Sequence, residues 1–134
     1  MPELRRRKPC PGCPWLRDSL RGYLGEDSAV PFLRKTVLGE GEMPCHQSID
    51  YTDPDWKETQ LPEADLCAGG LMFLANSCHS PRRAWLNTAV RVVGRDMKRV
   101  FTWPWEFLEY HGRMDPATAR KQAAAAYLPG PGAE

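Results

Sequence analysis

The chain has 134 residues, of which 42% are hydrophobic and 26% charged, and a formal net charge of +1. That length suits one compact domain with a small core and excludes two ordinary ones. No apolar run approaches the roughly 20 residues of a membrane span, and the start MPELRRRK leads into cysteines and prolines, not into a secretory signal core, so a cytoplasmic location is expected.

With 13 prolines and 11 glycines the chain is expected to turn often and to build short elements. Residues 1–8 read as a basic N-terminal tail, 9–128 as a single metal-stabilised domain and 129–134 as a disordered tail. Downstream of CPGCPW, the segment PWLRDSLRGYLG is loosely helical in spacing, but Gly22 and Gly25 leave it as a short helix or an ordered loop. Ser28 is placed to cap a helix over SAVPFLRKTVLG, with Phe32, Leu33 and Val37 on one face and Gly39 as a left-handed stop. Residues 40–61 hold acids, prolines and aromatics without a sustained period and predict a long loop, with brief strands around Cys45 and Tyr51.

LPEADLCAGGLMFLANSCH, residues 61–79, starts with a proline and acids suited to a helix N-terminus and then turns apolar, predicting a buried helix over 62–78. Ser80-Pro81, Thr102-Trp103-Pro104 and Asp115-Pro116 each resemble the start of a further helix, the last followed by alanines that favour helix strongly. The expected core comprises Trp15, Leu20, Phe32, Leu33, Val37, Leu71, Phe73, Leu74, Trp85, Val92, Phe101, Phe107 and Leu108. The expected fold class is mainly α, with a small α+β arrangement as the alternative: short helices and long loops around a four-cysteine metal centre.

Five cysteines in a reducing compartment argue against a disulfide framework and for metal ligation or free thiols. Cys10 and Cys13 form a C-x-x-C knuckle, whose two intervening residues let both sulfurs face one ion. Cys45 and Cys67 are the natural remaining pair, after gaps of 31 and 21 residues. Cys78 lies eleven residues beyond Cys67, about 16 Å along a continuous helix, too far for both to reach one centre. It is therefore expected to pack as a small core hydrophobe. His46 follows Cys45 directly, and neighbouring side chains on an extended segment point opposite ways, so it stands as an alternative ligand or a hydrogen-bond donor to a ligand sulfur. His79 and His111 carry no pattern beyond packing, His111 against Trp103 and Phe107.

One knuckle with two isolated cysteines favours a [4Fe-4S] cluster, and the proline after Cys13 and a shielding Trp15 agree with it; zinc is the alternative. A thioredoxin-type redox couple would need a strand before the knuckle, and the basic, proline-bearing start leaves no room for one.

CPGCPW, MPCHQSIDY and LCAGGLMFLAN together resemble a family of small uncharacterised proteins from bacteriophages and some actinobacteria that share C-x-x-C-P-aromatic, a Cys-His pair, and C-A-G opening an apolar segment. The likeness spans roughly residues 10–81, with a weaker echo in FTWPWEFLEYH. It implies that Cys10, Cys13, Cys45 and Cys67 are the recurring cysteines and His46 the recurring histidine, and, for a phage-encoded chain, the host cytoplasm as location. It implies no activity. Gly69 and Gly70 would let helix amides approach thiolate ligands, or serve close packing alone.

No phosphate loop, nucleophile elbow, H-E-x-x-H or spaced carboxylate pair is present, and four cysteines would close a zinc site to substrate, so a non-enzymatic role is favoured. The expected function is a metal-binding regulatory or binding module that contacts nucleic acid or a host protein; a structural zinc protein, or a redox or nucleic-acid-processing enzyme with a cluster, is the alternative. Charge is uneven: residues 36–67 carry eight acids against Lys57, while Arg82, Arg83, Arg95, Lys98 and Arg99 are the candidate nucleic-acid contacts. The oligomeric state is left open by the sequence.

Overall fold

The computed structural model describes residues 4–22, 24, 28–45, 49–50, 52–60 and 64–127. His46, the strand expected at Tyr51, the proline start expected at Pro62 and the 129–134 tail lie outside the described residues. The described chain is mainly helical: α1 (Ala29–Leu38), α2 (Trp56–Thr59), α3 (Ala68–Asn76), α4 (Ala84–Val93), α5 (Pro104–His111) and α6 (Pro116–Ala126). In place of strands there are two isolated antiparallel bridges, Leu16 with Val100 and Pro44 with Leu66.

The centre of the molecule is α3. Ala68 to Leu74 and Asn76 are all buried, as expected of a helix that is apolar on every side. It packs on α4, while α1, α5 and α6 pack on one another. Aromatic rings join the two groups, because Trp15 stacks between Phe73 of α3 and Phe107 of α5 with centroids 4.5 Å away on each side. Asn76, at the end of α3, ties down the α4–α5 connection. Its Nδ2 donates to the carbonyls of Asp96, Val100 and Phe101, each at 3.2 Å, and its Oδ1 accepts from the Asp96 amide at 2.9 Å.

Proline starts two helices where the sequence predicts them. Pro104 and Pro116 occupy the first turns of α5 and α6, where a missing N–H costs nothing. Asp115 caps α6 by accepting from the Thr118 amide at 3.1 Å. Glu106 reaches back to accept from the amides of Thr102 and Trp103 at 2.9 and 2.8 Å.

Several expectations are corrected. The 62–78 helix is shorter: residues 65–66 are bridged to the 43–45 segment, and α3 starts only after Cys67, whose sulfur accepts from the Gly70 amide and acts as the N-cap. Residues 15–22 form turns, the ordered-loop alternative of the two expected there. Gly39 ends α1 at φ −80°, and the left-handed residues are the following Glu40 and Gly41. Helix α4 starts three residues beyond Pro81, and α2 adds one helical turn to the 40–61 loop. Leu20 and Val92 are exposed, at 71% and 44%, because Leu20 rides on a turn and α4 faces inward through Leu86, Ala89 and Val90. Cys78 is exposed, not a core residue. It sits past the end of α3 at φ 60°, with Arg95 Nη2 3.0 Å from its sulfur.

Candidate metal centre

Three chain segments bring Cys10, Cys13, Cys45 and Cys67 into one buried region, and backbone bonds fix each segment. In the first, Gly12 at φ 78° takes the left-handed conformation that lets the knuckle reverse, and the Cys13 amide donates to the Cys10 carbonyl at 3.0 Å. Downstream, the Arg17 amide donates to the Arg99 carbonyl at 2.8 Å and the Phe101 amide to the Trp15 carbonyl at 3.2 Å, pinning this loop to the α4–α5 connection. The second and third segments hold each other. The Cys45 amide donates to the Asp65 carbonyl at 2.7 Å, and the Cys67 amide to the Met43 carbonyl at 2.8 Å.

Two of the sulfurs touch: the Cys45 thiol donates to Cys10 Sγ at 3.4 Å. All four residues are at most 6% exposed and belong to one core cluster. Among the described residues, no three or more histidine, cysteine, aspartate or glutamate side chains are already arranged to hold a metal ion.

Their proton affinities diverge. Hydrogen bonding to Cys10 and Cys67, together with burial, pushes Cys13 far up, so it keeps its proton. Cys67 is held below the usual thiol value, chiefly by the Cys13 hydrogen bond and further by the Gly70 and Gly69 amides, which outweigh burial. Of these two, Cys67 is the more disposed to be a thiolate, as a thiol at a helix N-terminus should be. The glycines have a steric role too: a Cβ on Gly69 would run into Cys13 Sγ and come within 3.2 Å of Trp15 Cβ.

Metal fit follows from these distances. A tetrahedral ion with metal–sulfur bonds of about 2.3 Å separates its sulfurs by about 3.8 Å, so the 3.4 Å pair has to open by only a few tenths of an ångström. A four-iron cluster would place iron and sulfide between every pair of cysteines and force touching sulfurs well apart. For Cys10 and Cys45 the spacing is therefore compatible with sharing one thiophilic ion.

His111 and the pairing of Arg5 and Arg6 with Asp65 were not legible as parts of the site. His111 of α5 lies beneath the knuckle: its Nδ1 accepts from the Gly22 amide at 2.9 Å and its Nε2 meets the Pro14 carbonyl at 2.7 Å. Burial is the main cause holding it below the ordinary histidine pKa, with Arg21 adding to the effect and the Pro14 bond opposing it, so the ring is neutral. Its partners lie 89 and 97 residues away in the chain, and no local pattern announces them. Arg5 and Arg6 pair with Asp65 at 2.9 and 3.7 Å, fastening part of the basic segment beside Leu66 and Cys67.

The five candidate nucleic-acid contacts do not form one patch. Arg82 and Arg83 precede α4 and Arg95, Lys98 and Arg99 follow it, separated by a helix about 15 Å long. Arg83 is engaged with Glu42 at 2.6 Å and the Gly39 carbonyl at 2.8 Å, the Arg82 amide donates to Glu40, and Arg95 Nε donates to the Ala75 carbonyl at 3.1 Å. Lys98 and Arg99 are exposed and border a cleft of about 290 Å³ with Leu16, Arg17 and Asp18.

No protein-family model, curated protein or solved structure matches this chain. Among the described residues, no helix is long and apolar enough to cross a membrane.

Proposed function

We propose that the chain is a small binding module whose fold is stabilised by one zinc ion held by Cys10, Cys13, Cys45 and Cys67. The observation that carries this reading is the burial of four cysteines from three segments in one core cluster, with the sulfurs of Cys10 and Cys45 in contact. Four thiolates complete the coordination of zinc and leave no position for substrate, which makes the role structural. Binding releases the thiol protons, that of Cys13 being held more firmly than that of Cys67, so zinc affinity rises with pH. The partner is a polyanion such as nucleic acid, met at Lys98 and Arg99, the two candidate contacts beside an open cleft.

Zinc titration of the reduced chain with a chromophoric chelator tests the centre, followed by alkylation and mass analysis. One zinc per chain is expected, with four thiols protected and Cys78, the exposed one, still modified. Loss of two hydrogens between Cys10 and Cys45 without metal uptake would assign their contact to a disulfide and overturn the proposal. A brown chain containing iron and sulfide would replace the single ion by a cluster. Salt-sensitive retention on DNA that disappears in the Lys98→Gln, Arg99→Gln variant is expected of the polyanion contact; retention that persists in the variant refutes it.

A further inference from the structure

Trp15 has no exposed surface, and its indole Nε1 is, among the described residues, the buried side-chain nitrogen or oxygen that lacks a hydrogen-bond partner. Buried polar groups are nearly always paired, and the exceptions call for a reason. Stacking between Phe73 and Phe107, with Phe32 a further 5.6 Å contact, fixes the ring plane, so the N–H cannot swing to another acceptor. The direction of this edge is informative. Around the position that a Gly70 side chain would occupy stand Trp15 Nε1 at 3.3 Å and Cys67 Sγ at 3.8 Å. One residue earlier, Trp15 Cβ and Cδ1 lie 3.2 and 3.5 Å from the corresponding position on Gly69, where Cys13 Sγ also stands. Trp15 Nε1 and Cys67 Sγ therefore both border the space that the missing Gly70 side chain leaves open.

We propose that Trp15 is a positioning residue of the metal centre, its indole N–H donating a hydrogen bond to the metal-bound thiolate of Cys67. This rests on the four-thiolate reading above. A neutral thiol is a weak acceptor, and a thiolate is a strong one. Four thiolates round a divalent ion also leave two negative charges in a buried place, and a fixed N–H dipole stabilises them. The donor thus gains its partner only in the loaded state. Outer hydrogen bonds of this kind orient ligands and hold them in the charged form, and Trp15 would link the ion directly to the aromatic stack joining α3 and α5.

The test is a zinc titration of the full ¹⁵N-labelled chain followed through its five tryptophan indole signals, the Trp15 signal being identified by its absence in Trp15→Phe. On loading, the Trp15 indole proton is expected to move downfield and exchange more slowly with solvent. Trp15→Phe keeps the stack and removes the donor; it is expected to bind one zinc with affinity lowered by about 10- to 100-fold. If the wild-type chain takes up one zinc while the Trp15 signal stays in place, or if Trp15→Phe binds as tightly, the hydrogen bond is refuted and the metal centre stands. Should Trp15→Phe fail to fold, the wild-type signal alone decides. No zinc uptake by the wild-type chain removes the metal reading itself and this inference with it.

Discussion

Gly69→Ala and Gly70→Ala form a matched pair that isolates the crowding of the sulfurs. Both sites lie in the first turn of α3, so each substitution gains about 1 kcal/mol of helix propensity. Their surroundings differ. At Gly70 the nearest heavy atom, Trp15 Nε1, is 3.3 Å from the new methyl, with Thr36 Cγ2 at 3.7 Å, so only a few tenths of an ångström of overlap has to be relieved. At Gly69 the methyl meets Cys13 Sγ and Trp15 Cβ, and neither neighbour has room to retreat. Trp15 is wedged between two phenylalanines, and Cys13 is 1% exposed in a hydrogen-bonded turn. Overpacking of this kind costs typically 1–3 kcal/mol, and the immobile neighbours put Gly69→Ala at the upper end. The expected net difference between the variants is about 2 kcal/mol, or about 8 °C in Tm for a chain of this length, read by far-ultraviolet circular dichroism on reduced protein. Equal midpoints, or a more stable Gly69→Ala, would refute the close approach of α3 to the knuckle.

Two further outcomes are expected. Because His111 is held below its ordinary pKa when folded, the folded state binds fewer protons than the unfolded one. Its contribution is therefore complete above the unfolded value of about 6.5 and is lost as pH falls below it; the urea midpoint of wild type should drop between pH 7.5 and 5.5 by more than that of His111→Gln, and equal drops would exclude the ring as a cause. Asn76→Asp replaces a donor to three carbonyls with a carboxylate facing them and should cost about 3 kcal/mol or more at pH 7; a loss under 1 kcal/mol in urea unfolding would contradict the role of Asn76 as the tie to the α4–α5 connection.

Local chemistry made some of this legible from sequence and long-range geometry hid the rest. Pro104 and Pro116 mark their helices because proline constrains the backbone of its own turn, and Asp115 caps α6 three residues away. Cys10 and Cys13 read as a knuckle for the same reason. The start of α3 was misread because Pro62 and the acids after it imitate a helix start, whereas Cys67 supplies the cap with its own sulfur. Hydrophobicity alone places Leu20 and Val92 in the core, and it cannot tell which side of a turn or helix faces inward. Cys78 was excluded as a ligand by distance along a helix, but its exposure depends on where that helix stops. The partners of His111 and the orphaned N–H of Trp15 depend on contacts between distant segments.

Order along the chain gives the sulfur cluster a bearing on biosynthesis. All four of its cysteines lie within the first 67 residues, whereas α4, α5 and α6 come later, bringing Phe107 to the indole and His111 to the knuckle. Since synthesis proceeds at about 5–20 residues per second, the four cysteines are made several seconds before Phe107 and His111 join the chain.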